Sequence, residues 1–309
     1  MLTIASRASS TLAQAPSLKD PTTILSLQIF LDNHDFGPGQ IDGKLGSFTR
    51  KALQFYNTQQ GLPKSDWRTA ADRARSEVTY LYVTHRVTAL DFRHVGPVAK
   101  TIPAQAKQDS LPYASVLEFI AERHHATEPF LRQLNPRIDL RQLKKGDLVV
   151  VPNVRQIFRI EAIPRSASYK RDAAKAAHYV FVDTKERMAS FYRNTKLLAA
   201  FPITHGKDRY VPIGRWRITT MVTTPTFRWD ESMLKRGVRS DTYHTLPPGP
   251  NNLIGIFWAS INKKGIGLHG TNAPETIGRT RSAGCIRFAN WDAIRLPNYV
   301  RPGCEVIVK

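Results

Sequence analysis

Two short stretches near the C-terminus decide the interpretation of this chain: residues 267–271, with the sequence GLHGT, and residues 282–287, with the sequence SAGCIR. Cys285 is one of only two cysteines, and His269 lies sixteen residues upstream of it. A thiol is a strong nucleophile only as the thiolate, and a neighbouring imidazole is the usual base that removes its proton. The pair therefore predicts nucleophilic catalysis by Cys285 with His269 as the base.

The residues around the cysteine fit this chemistry. Gly284 allows a tight backbone turn, so that the amide of Cys285 could point at a developing oxyanion. Arg287 faces the same side as Cys285 if the segment is extended, and its guanidinium could then bind a substrate carboxylate. The structural alternatives are an inert buried cysteine and an arginine that secures the loop through a salt bridge.

The complete motif is more specific than any of these residues alone. It reads His-Gly-Thr, Ile-Gly-Arg, Ser-x-Gly-Cys-Ile-Arg and Asn-x-Asp-Ala, and it resembles the signature of the YkuD-type L,D-transpeptidases, bacterial enzymes that cross-link peptidoglycan stem peptides. The commonest form of that motif has a second histidine before the Gly-Cys pair, where this chain has Ala283. The resemblance implies a cysteine-dependent acyltransferase that needs no cofactor.

The resemblance also assigns roles to the residues of the motif. Four are expected to be catalytic: Cys285, His269, Ser282 and Gly284. Four more are expected to bind substrate: Arg287, Gly270, Thr271 and Arg279. Ser282 would line the cleft and orient His269 or the acyl oxygen, unless it only forms a turn with its own backbone. Asn290 and Asp292 are instead expected to cap a helix over 291–296, and His205 is the one further histidine of interest.

The implied reaction has two halves. Cys285 attacks the carbonyl of an L-centre–D-centre peptide bond in a tetrapeptide stem, and the terminal D-Ala leaves. A second amine then resolves the thioester, which forms a 3-3 cross-link or attaches a protein to the wall. Water in place of the amine would give an L,D-carboxypeptidase or endopeptidase. The alternative from another class is a catalytically silent scaffold that only binds the wall.

Composition limits the class of protein and its partners. With 309 residues, 41% hydrophobic and 23% charged, the chain has room for two or three globular domains. No apolar run approaches the roughly 20 residues of a membrane-spanning helix. The net charge of +20 attracts polyanions, including anionic wall polymers, but does not select among them. Nucleic acid is not expected as a partner, because no recognition motif is present and the basic residues are spread out.

Cysteine, histidine and the N-terminus add further expectations. A bridge between Cys285 and Cys304 would remove the nucleophile, so no disulfide is expected. The nine histidines occur without a Cys-x-x-Cys or His-Glu-x-x-His motif, so no metal site is predicted. Residues 1–20 are expected to be a loose leader in which no complete signal peptide is evident, although AQA at 13–15 resembles a cleavage site. We expect a monomer in the bacterial cell envelope, in the periplasm or associated with the wall.

Residues 21–66 predict a small all-α domain. Ile24, Leu27 and Leu31 lie on one face of a helix that ends at the breakers of 33–39, and a second helix begins near Ser47. The order Leu-Gln-x-x-Leu-Asp, Phe-Gly-Pro-Gly-x-Ile-Asp-Gly and Thr-x-x-Ala-Leu-x-Phe resembles the helical peptidoglycan-binding domain of wall hydrolases. A plain helical hairpin is the alternative.

Residues 113–153 resemble an α+β LysM module, which binds N-acetylglucosamine chains. Two short helical patterns are followed by Leu-x-x-Leu-Asn-Pro and then by GDLVVVP at 146–152. The Gly-Asp-Thr expected at the opening strand is missing at 113–115, so a structural helix pair is the alternative. Residues 67–112 are expected to connect the two modules, with a helix over 67–76 and a strand over 78–84. Residues 154–174 are expected to be a linker.

Residues 175–309 predict a mainly-β catalytic domain with short helices. Strands are expected at 178–183, 187–193, 197–204 and 214–219, and frequent turns between short strands are typical of a β-sandwich or a barrel-like sheet. The polar segment 228–250 is long for a loop in a compact domain, which is typical of a lid, and the family resemblance implies a flap over the cleft. The fold class as a whole is multidomain.

Overall fold

The structure, a computed structural model, describes residues 16–206 and 210–309. The AQA segment and most of the expected leader lie outside the described residues. The chain forms two compact units. The first contains the described residues up to 93 together with 115–158, and the second contains 94–114 and the described residues from 159 onward.

The described residues form helices and strands in the following order. The α-helices are Pro21–Asn33 (α1), Ser47–Gln59 (α2), Trp67–Glu77 (α3), Ala89–Phe92 (α4), Ile102–Gln105 (α5), Val116–Arg123 (α6), Glu128–Leu134 (α7), Glu231–Arg236 (α8), Asn290–Ala293 (α9) and Leu296–Tyr299 (α10). The strands are Tyr82–Arg86 (β1), Leu148–Pro152 (β2), His178–Asp183 (β3), Met188–Arg193 (β4), Lys196–Pro202 (β5), Gly214–Thr223 (β6), Phe227–Trp229 (β7), His244–Leu246 (β8), Phe257–Ile261 (β9), Gly267–His269 (β10), Ile286–Arg287 (β11) and Glu305–Val308 (β12).

Helix α1 is central to the first unit. Its N-terminus is capped by Asp20, whose carboxylate accepts hydrogen bonds from the backbone N–H groups of Thr22 and Thr23. Its apolar face is buried, and it packs against α2 and α3. Gln28, also buried, fixes the loop that follows, since its Oε1 accepts a hydrogen bond from the N–H of Gly43 at 2.8 Å. The predicted helical domain is therefore present.

A β-α-α-β arrangement completes this unit. Strand β1 pairs antiparallel with β2, and α6 and α7 lie between them in sequence. The strand that opens the arrangement is β1 at 82–86, not the segment 113–115, and residues 94–114 interrupt it. The observed boundaries therefore differ from those predicted at 67–112 and 113–153, because pairing between distant strands is not visible in a local pattern.

The helical part and the β-α-α-β part lie in the same compact unit. The N–H of Ile41 donates to the carbonyl of His125 at 2.7 Å. The Nδ1 atom of His125 lies 3.1 Å from each carboxylate oxygen of Asp32, and both side chains are buried. The two modules predicted for 21–66 and 113–153 are therefore joined through a shared core.

The second unit is built on one eight-stranded mixed sheet in the order β11-β10-β9-β6-β12-β3-β4-β5. The pairs β10–β11 and β12–β3 are parallel, and the other neighbours are antiparallel. Side chains of β3 alternate between buried and less buried positions, the pattern of a sheet with one face on the core. The predicted mainly-β domain is confirmed.

The two edges of this sheet meet beyond β5. Thr204 pairs with Arg287 of β11, and each N–H donates to the other residue's carbonyl, at 2.9 and 2.8 Å. The sheet therefore curls until its ends touch, which agrees with the barrel-like alternative and not with two packed sheets. This closure lies directly beside the loop that carries Cys285.

Two further segments pack on the sheet domain. Residues 94–114, predicted as a connection, contact the 247–252 loop: the N–H of Leu111 donates to Pro248 O at 3.0 Å, and Nδ2 of Asn251 donates to Pro112 O at 2.8 Å. The linker predicted at 154–174 is divided between the units, and Tyr169 N–H donates to Met221 O. In residues 16–206 and 210–309, no helix combines the length and hydrophobicity needed to cross a membrane.

Candidate active site

The loop 282–285 is held against the end of the closed sheet. The N–H of Ser282 donates to the carbonyl of His205 at 3.0 Å, and Gly206 pairs with Ser282. A Cβ atom on Gly206 would lie 2.3 Å from the Cα of Gly284, so no larger residue fits at position 206 without a shift of the backbone. The long-range pairing therefore fixes the position of the loop 282–285.

The loop itself turns at Gly284, whose φ of +134° lies in the region that favours glycine. The hydroxyl of Ser282 donates to the carbonyl of Cys285 at 2.6 Å and accepts from the N–H of Gly284 at 3.2 Å. Both hydrogen bonds stabilise the turn, so the geometry favours a turn-forming role for Ser282 over the orientation of His269. The thiol of Cys285 donates to Gly265 O at 3.7 Å.

His269 ends strand β10, opposite Trp258 of β9. The two rings are stacked, with centroids 5.4 Å apart and an interplanar angle of 23°. Nδ1 of His269 lies 2.6 Å from the carbonyl oxygen of Gly270. Because a carbonyl can only accept, Nδ1 carries the proton and Nε2 keeps its lone pair. The imidazole is thus held in the tautomer that a base needs.

Burial favours the neutral forms of Cys285 and His269. It raises the pKa of the Cys285 thiol to about 11, against a smaller effect of the Arg287 guanidinium in the other direction. It lowers the pKa of His269 to about 3. Cys285 retains some exposure to the cavity, whereas His269 is 4% exposed. The thiolate expected from the sequence is therefore not the resting form, because desolvation outweighs the nearby positive charge.

A cavity of about 660 Å³ opens over these residues. It brings together four of the eight residues predicted for the site: Cys285, His269, Ser282 and Arg287. The other described lining includes Trp258, Asn272 and side chains from the segment 228–240. The size suits a peptide-sized ligand.

Arg287 is anchored both through its backbone and through its guanidinium. Its backbone pairs with Thr204, and its Nη2 donates to Thr280 Oγ1 at 2.6 Å. Its buried Nε has no hydrogen-bond partner within the described ranges 16–206 and 210–309. An arginine in the wall of a cavity is suited to binding an anion.

Comparison with known proteins identifies the sheet domain. Residues 177–308 match the YkuD family model, which is described as the L,D-transpeptidase catalytic domain. This part of the chain is a YkuD-type L,D-transpeptidase catalytic domain. The protein is therefore an enzyme of the peptidoglycan L,D-transpeptidase class, an acyltransferase, as predicted.

The relatives of the transpeptidase domain come from several bacteria. The chain is 27% identical to the Bacillus licheniformis protein named L,D-transpeptidase YkuD over 192 residues, which cover 62% of this chain and 92% of that protein. A Bacillus subtilis protein of the same name is 26% identical over the same length. Among solved structures, L,D-transpeptidase 3 from Mycobacterium tuberculosis with a faropenem-derived adduct is 16% identical, has a TM-score of 0.36, and matches over 54% of this chain and 76% of that one.

Three of the four predicted substrate-binding residues are not among the described residues that line the cavity. Thr271 is fully buried, so direct contact with substrate does not fit the structure. Gly270 is needed for close packing, since a Cβ there would lie 2.1 Å from Asn290 Oδ1. Arg279 is exposed, and its N–H donates to Thr276 O. These residues support the site or flank it.

The capping role predicted for Asn290 is wrong. The cap of α9 is Ala289, without a side-chain hydrogen bond. Asn290 is buried, and its Oδ1 accepts hydrogen bonds from the N–H groups of Ile256 and Thr271, both at 3.2 Å. It thereby joins two loops next to His269, a role that only strand and loop packing creates. Asp292 is likewise buried inside α9 and does not cap it.

The lid predicted at 228–250 contains β7, α8 and β8, and several of its side chains line the cavity. Asp230 stabilises it internally by accepting from the N–H groups of Met233 and Ser240, at 3.1 and 2.8 Å. Arg228 donates to Ser240 O at 2.6 Å and lies over the ring of Tyr243. Sequence reasoning missed the stacking of Trp258 on His269 and the cavity position of Arg239, because both depend on how distant strands and loops meet.

Proposed function

We propose that Cys285 is the nucleophile of the transpeptidase domain and His269 its base, acting on a peptidoglycan tetrapeptide stem. The observation that carries this proposal is that both side chains line one cavity while Nδ1 of His269 is bonded to Gly270 O, which leaves Nε2 free. The thiol's contact with Gly265 O is long, at 3.7 Å, and catalytic hydrogen bonds commonly tighten only when substrate binds.

The neutral resting pair determines how the first half proceeds. Sγ of Cys285 attacks the carbonyl carbon as its proton passes to Nε2 of His269, and the carbonyl electrons move to oxygen. The C–N bond then breaks, the proton passes from His269 to the leaving amine of D-Ala, and a thioester remains. The imidazolium that forms on the way is stabilised by Gly270 O and by the face of Trp258.

The surrounding residues complete the reaction. The N–H of Cys285 is the proposed oxyanion donor, because the N–H of Gly284 is already bonded to Ser282. Arg287 is the proposed clamp for a stem carboxylate, because it is a cation in the cavity lining with no ion pair among the described residues. In the second half an acceptor amine attacks the thioester, with His269 as base, and gives a 3-3 cross-link or a protein attached to the wall. The lid favours the amine over water by covering the cavity.

The test is mass spectrometry of the purified protein with a tetrapeptide-bearing muropeptide, beside the Cys285→Ala variant. We expect an acyl adduct on Cys285 in the wild type, followed by a cross-linked dimer, and neither product in the variant. Release of tripeptide without a dimer would support the L,D-carboxypeptidase instead. No adduct in the wild type would overturn the enzymatic role of Cys285 and leave the wall-binding scaffold.

We further propose that the first unit binds peptidoglycan in the cell envelope, through α1–α3 and the LysM-like β-α-α-β arrangement. The motif resemblances and the antiparallel β1–β2 pair around α6 and α7 support this. The full chain should sediment with purified sacculi and be released by N-acetylglucosamine oligomers. Release by salt alone, with no effect of the oligomers, would show that only the net charge of +20 causes retention.

A further inference from the structure

The charged side chains that line the active-site cavity are strongly unequal in sign. Among the described lining residues there are three arginines, Arg228, Arg239 and Arg287, and one carboxylate, Asp230. His269 is neutral at physiological pH, because burial lowers its pKa to about 3. The described wall of the cavity therefore carries an excess of positive charge.

The lid neutralises one of these arginines internally. Nη2 of Arg228 lies 3.8 Å from Oδ2 of Asp230 and donates to the carbonyl of Ser240. The carboxylate of Asp230 is itself saturated, since it also accepts from Met233 N–H and from the N–H and hydroxyl of Ser240. Arg228 and Asp230 thus form a closed structural group that shapes the lid.

Arg239 and Arg287 have no such counter-ion. Within 16–206 and 210–309, neither guanidinium forms an ion pair within 4.0 Å. Glu275 influences Arg287 only from beyond that distance, and Glu231 of the lid is already paired with Lys235. Arg287 is part of the sheet, whereas Arg239 is an exposed side chain of the lid. Two separate elements therefore each contribute to the lining of one cavity an arginine that has no ion pair among the described residues.

We propose that Arg239 is a specificity-determining residue that binds a carboxylate carried on a side chain of the acyl-donor stem. Arg287 binds a different carboxylate of the same stem. This inference rests on the proposed function. Two cations on different elements fit a dianionic peptide, and a guanidinium binds a carboxylate through two parallel hydrogen bonds but gains little from a neutral carboxamide. The enzyme then selects stems whose side-chain carboxyl group is free over stems in which it is amidated.

The test uses two synthetic tetrapeptide stems that differ only in one side-chain group, a free carboxylate or a carboxamide. Acylation of Cys285 is followed with the full chain and with three variants, Arg239→Gln, Arg239→Lys and Arg236→Gln. Arg236 is the matched control, because it lies in the same lid but bonds to Ser232 Oγ and is outside the described lining of the cavity.

We expect the wild type to prefer the carboxylate stem by about tenfold or more in kcat/KM, mainly through KM, as for a charge-assisted hydrogen bond. Arg239→Gln should lose that preference by becoming slower on the carboxylate stem alone, Arg239→Lys should keep part of it, and Arg236→Gln should match the wild type. Equal rates of the wild type on both stems, or an unchanged preference in Arg239→Gln, would overturn the proposal for Arg239 alone. Failure of the wild type to acylate with either stem would overturn the proposed function and this inference with it.

Discussion

Two His-Gly pairs lie near the closure of the sheet and share their local geometry. In each, Nδ1 of the histidine bonds to the carbonyl of the following glycine, at 2.6 Å for His269 and 2.7 Å for His205. Both imidazoles are buried, with exposures of 4% and 7%. Of the two, His269 lines the cavity and His205 does not. Access to the cavity, and not the local bond, separates the proposed base from its counterpart.

The pair His205–Gly206 has a structural role. The carbonyl of His205 accepts the hydrogen bond from Ser282 N–H, and Gly206 packs directly on Gly284. The pair His205–Gly206 therefore holds the loop 282–285 in place, whereas Nε2 of His269 has no hydrogen bond within the described residues. A buried histidine with a fixed tautomer is common to both roles, so that feature alone is no evidence of catalysis.

The sharpest test of this difference is to remove each imidazole in turn. His269→Ala should lower kcat for stem acylation by about 10²- to 10⁴-fold, the usual contribution of general acid–base catalysis. His205→Ala should lower it by less than about tenfold, with its main effect on thermal stability. Steady-state kinetics and thermal unfolding of both variants measure the two effects. Similar kinetic losses would show that His205 also takes part in the chemistry.

The next largest expected effect is on the rate of Cys285 alkylation, which depends on the protonation state of its thiol. In a Cys304→Ser background, the rate of Cys285 alkylation should rise with pH to a midpoint near 11, the value to which burial raises its pKa. Relative to an ordinary thiol of pKa 9.0, this leaves about a hundredfold less thiolate at pH 8. A midpoint near neutral pH would instead indicate a preformed thiolate–imidazolium pair.

A single methyl group added at Gly206 tests the packing of the His205–Gly206 pair against the loop 282–285. Gly206→Ala places a Cβ 2.3 Å from Gly284 Cα, so the backbone must shift, and we expect a loss of about 1–3 kcal/mol in the free energy of unfolding. Gly46→Ala is the control, because that position has open space around it. Chemical denaturation measures both. An unchanged stability of Gly206→Ala would show that the two loops are not held in contact.

The smallest expected effect is the pH dependence of stability that arises from His85 and His124 in the first unit, whose imidazoles are largely shielded from water. Burial lowers the pKa of His85, although the carboxylate of Asp91 beside it acts in the opposite direction. Burial lowers the pKa of His124 more strongly, and the positive charges of His125 and Arg123 add to that shift. Because these folded pKa values lie below the ordinary 6.5, their contribution to stability is complete above pH 6.5 and declines as the pH falls. We expect a slope of at most about 1.4 kcal/mol per pH unit for each group.

Unfolding of the wild type and of His124→Gln at pH 7 and pH 5.5 checks this expectation. The variant should lose less stability between the two values than the wild type does. Equal losses would assign the acid sensitivity to other groups, such as His178, whose pKa is also lowered by burial. These histidines show that burial lowers the pKa of an imidazole in a part of the molecule that has no proposed catalytic role.

Much of the fold could be predicted because its signals are local. The apolar spacing of α1 and the alternation of β3 depend on residues a few positions apart. Boundaries that depend on distant partners could not be predicted: β1 belongs with β2, and the intervening 94–114 belongs with the other unit. The capping role of Asn290 failed for the same reason, because its partners Ile256 and Thr271 come from other loops.

By itself, the sequence determined the family of the sheet domain and the side chains on which the proposed chemistry rests. A glycine at the turn, a cysteine beyond it, a histidine and an arginine are choices of side chain that a motif records directly. Tertiary structure decided the rest. It placed His269 and Arg239, but not His205, in the described wall of the cavity, and it keeps Cys285 protonated. Each of these outcomes depends on burial and on the closure of the sheet between Thr204 and Arg287. Burial and closure arise only when residues far apart in the chain come into contact, so no local pattern contains them.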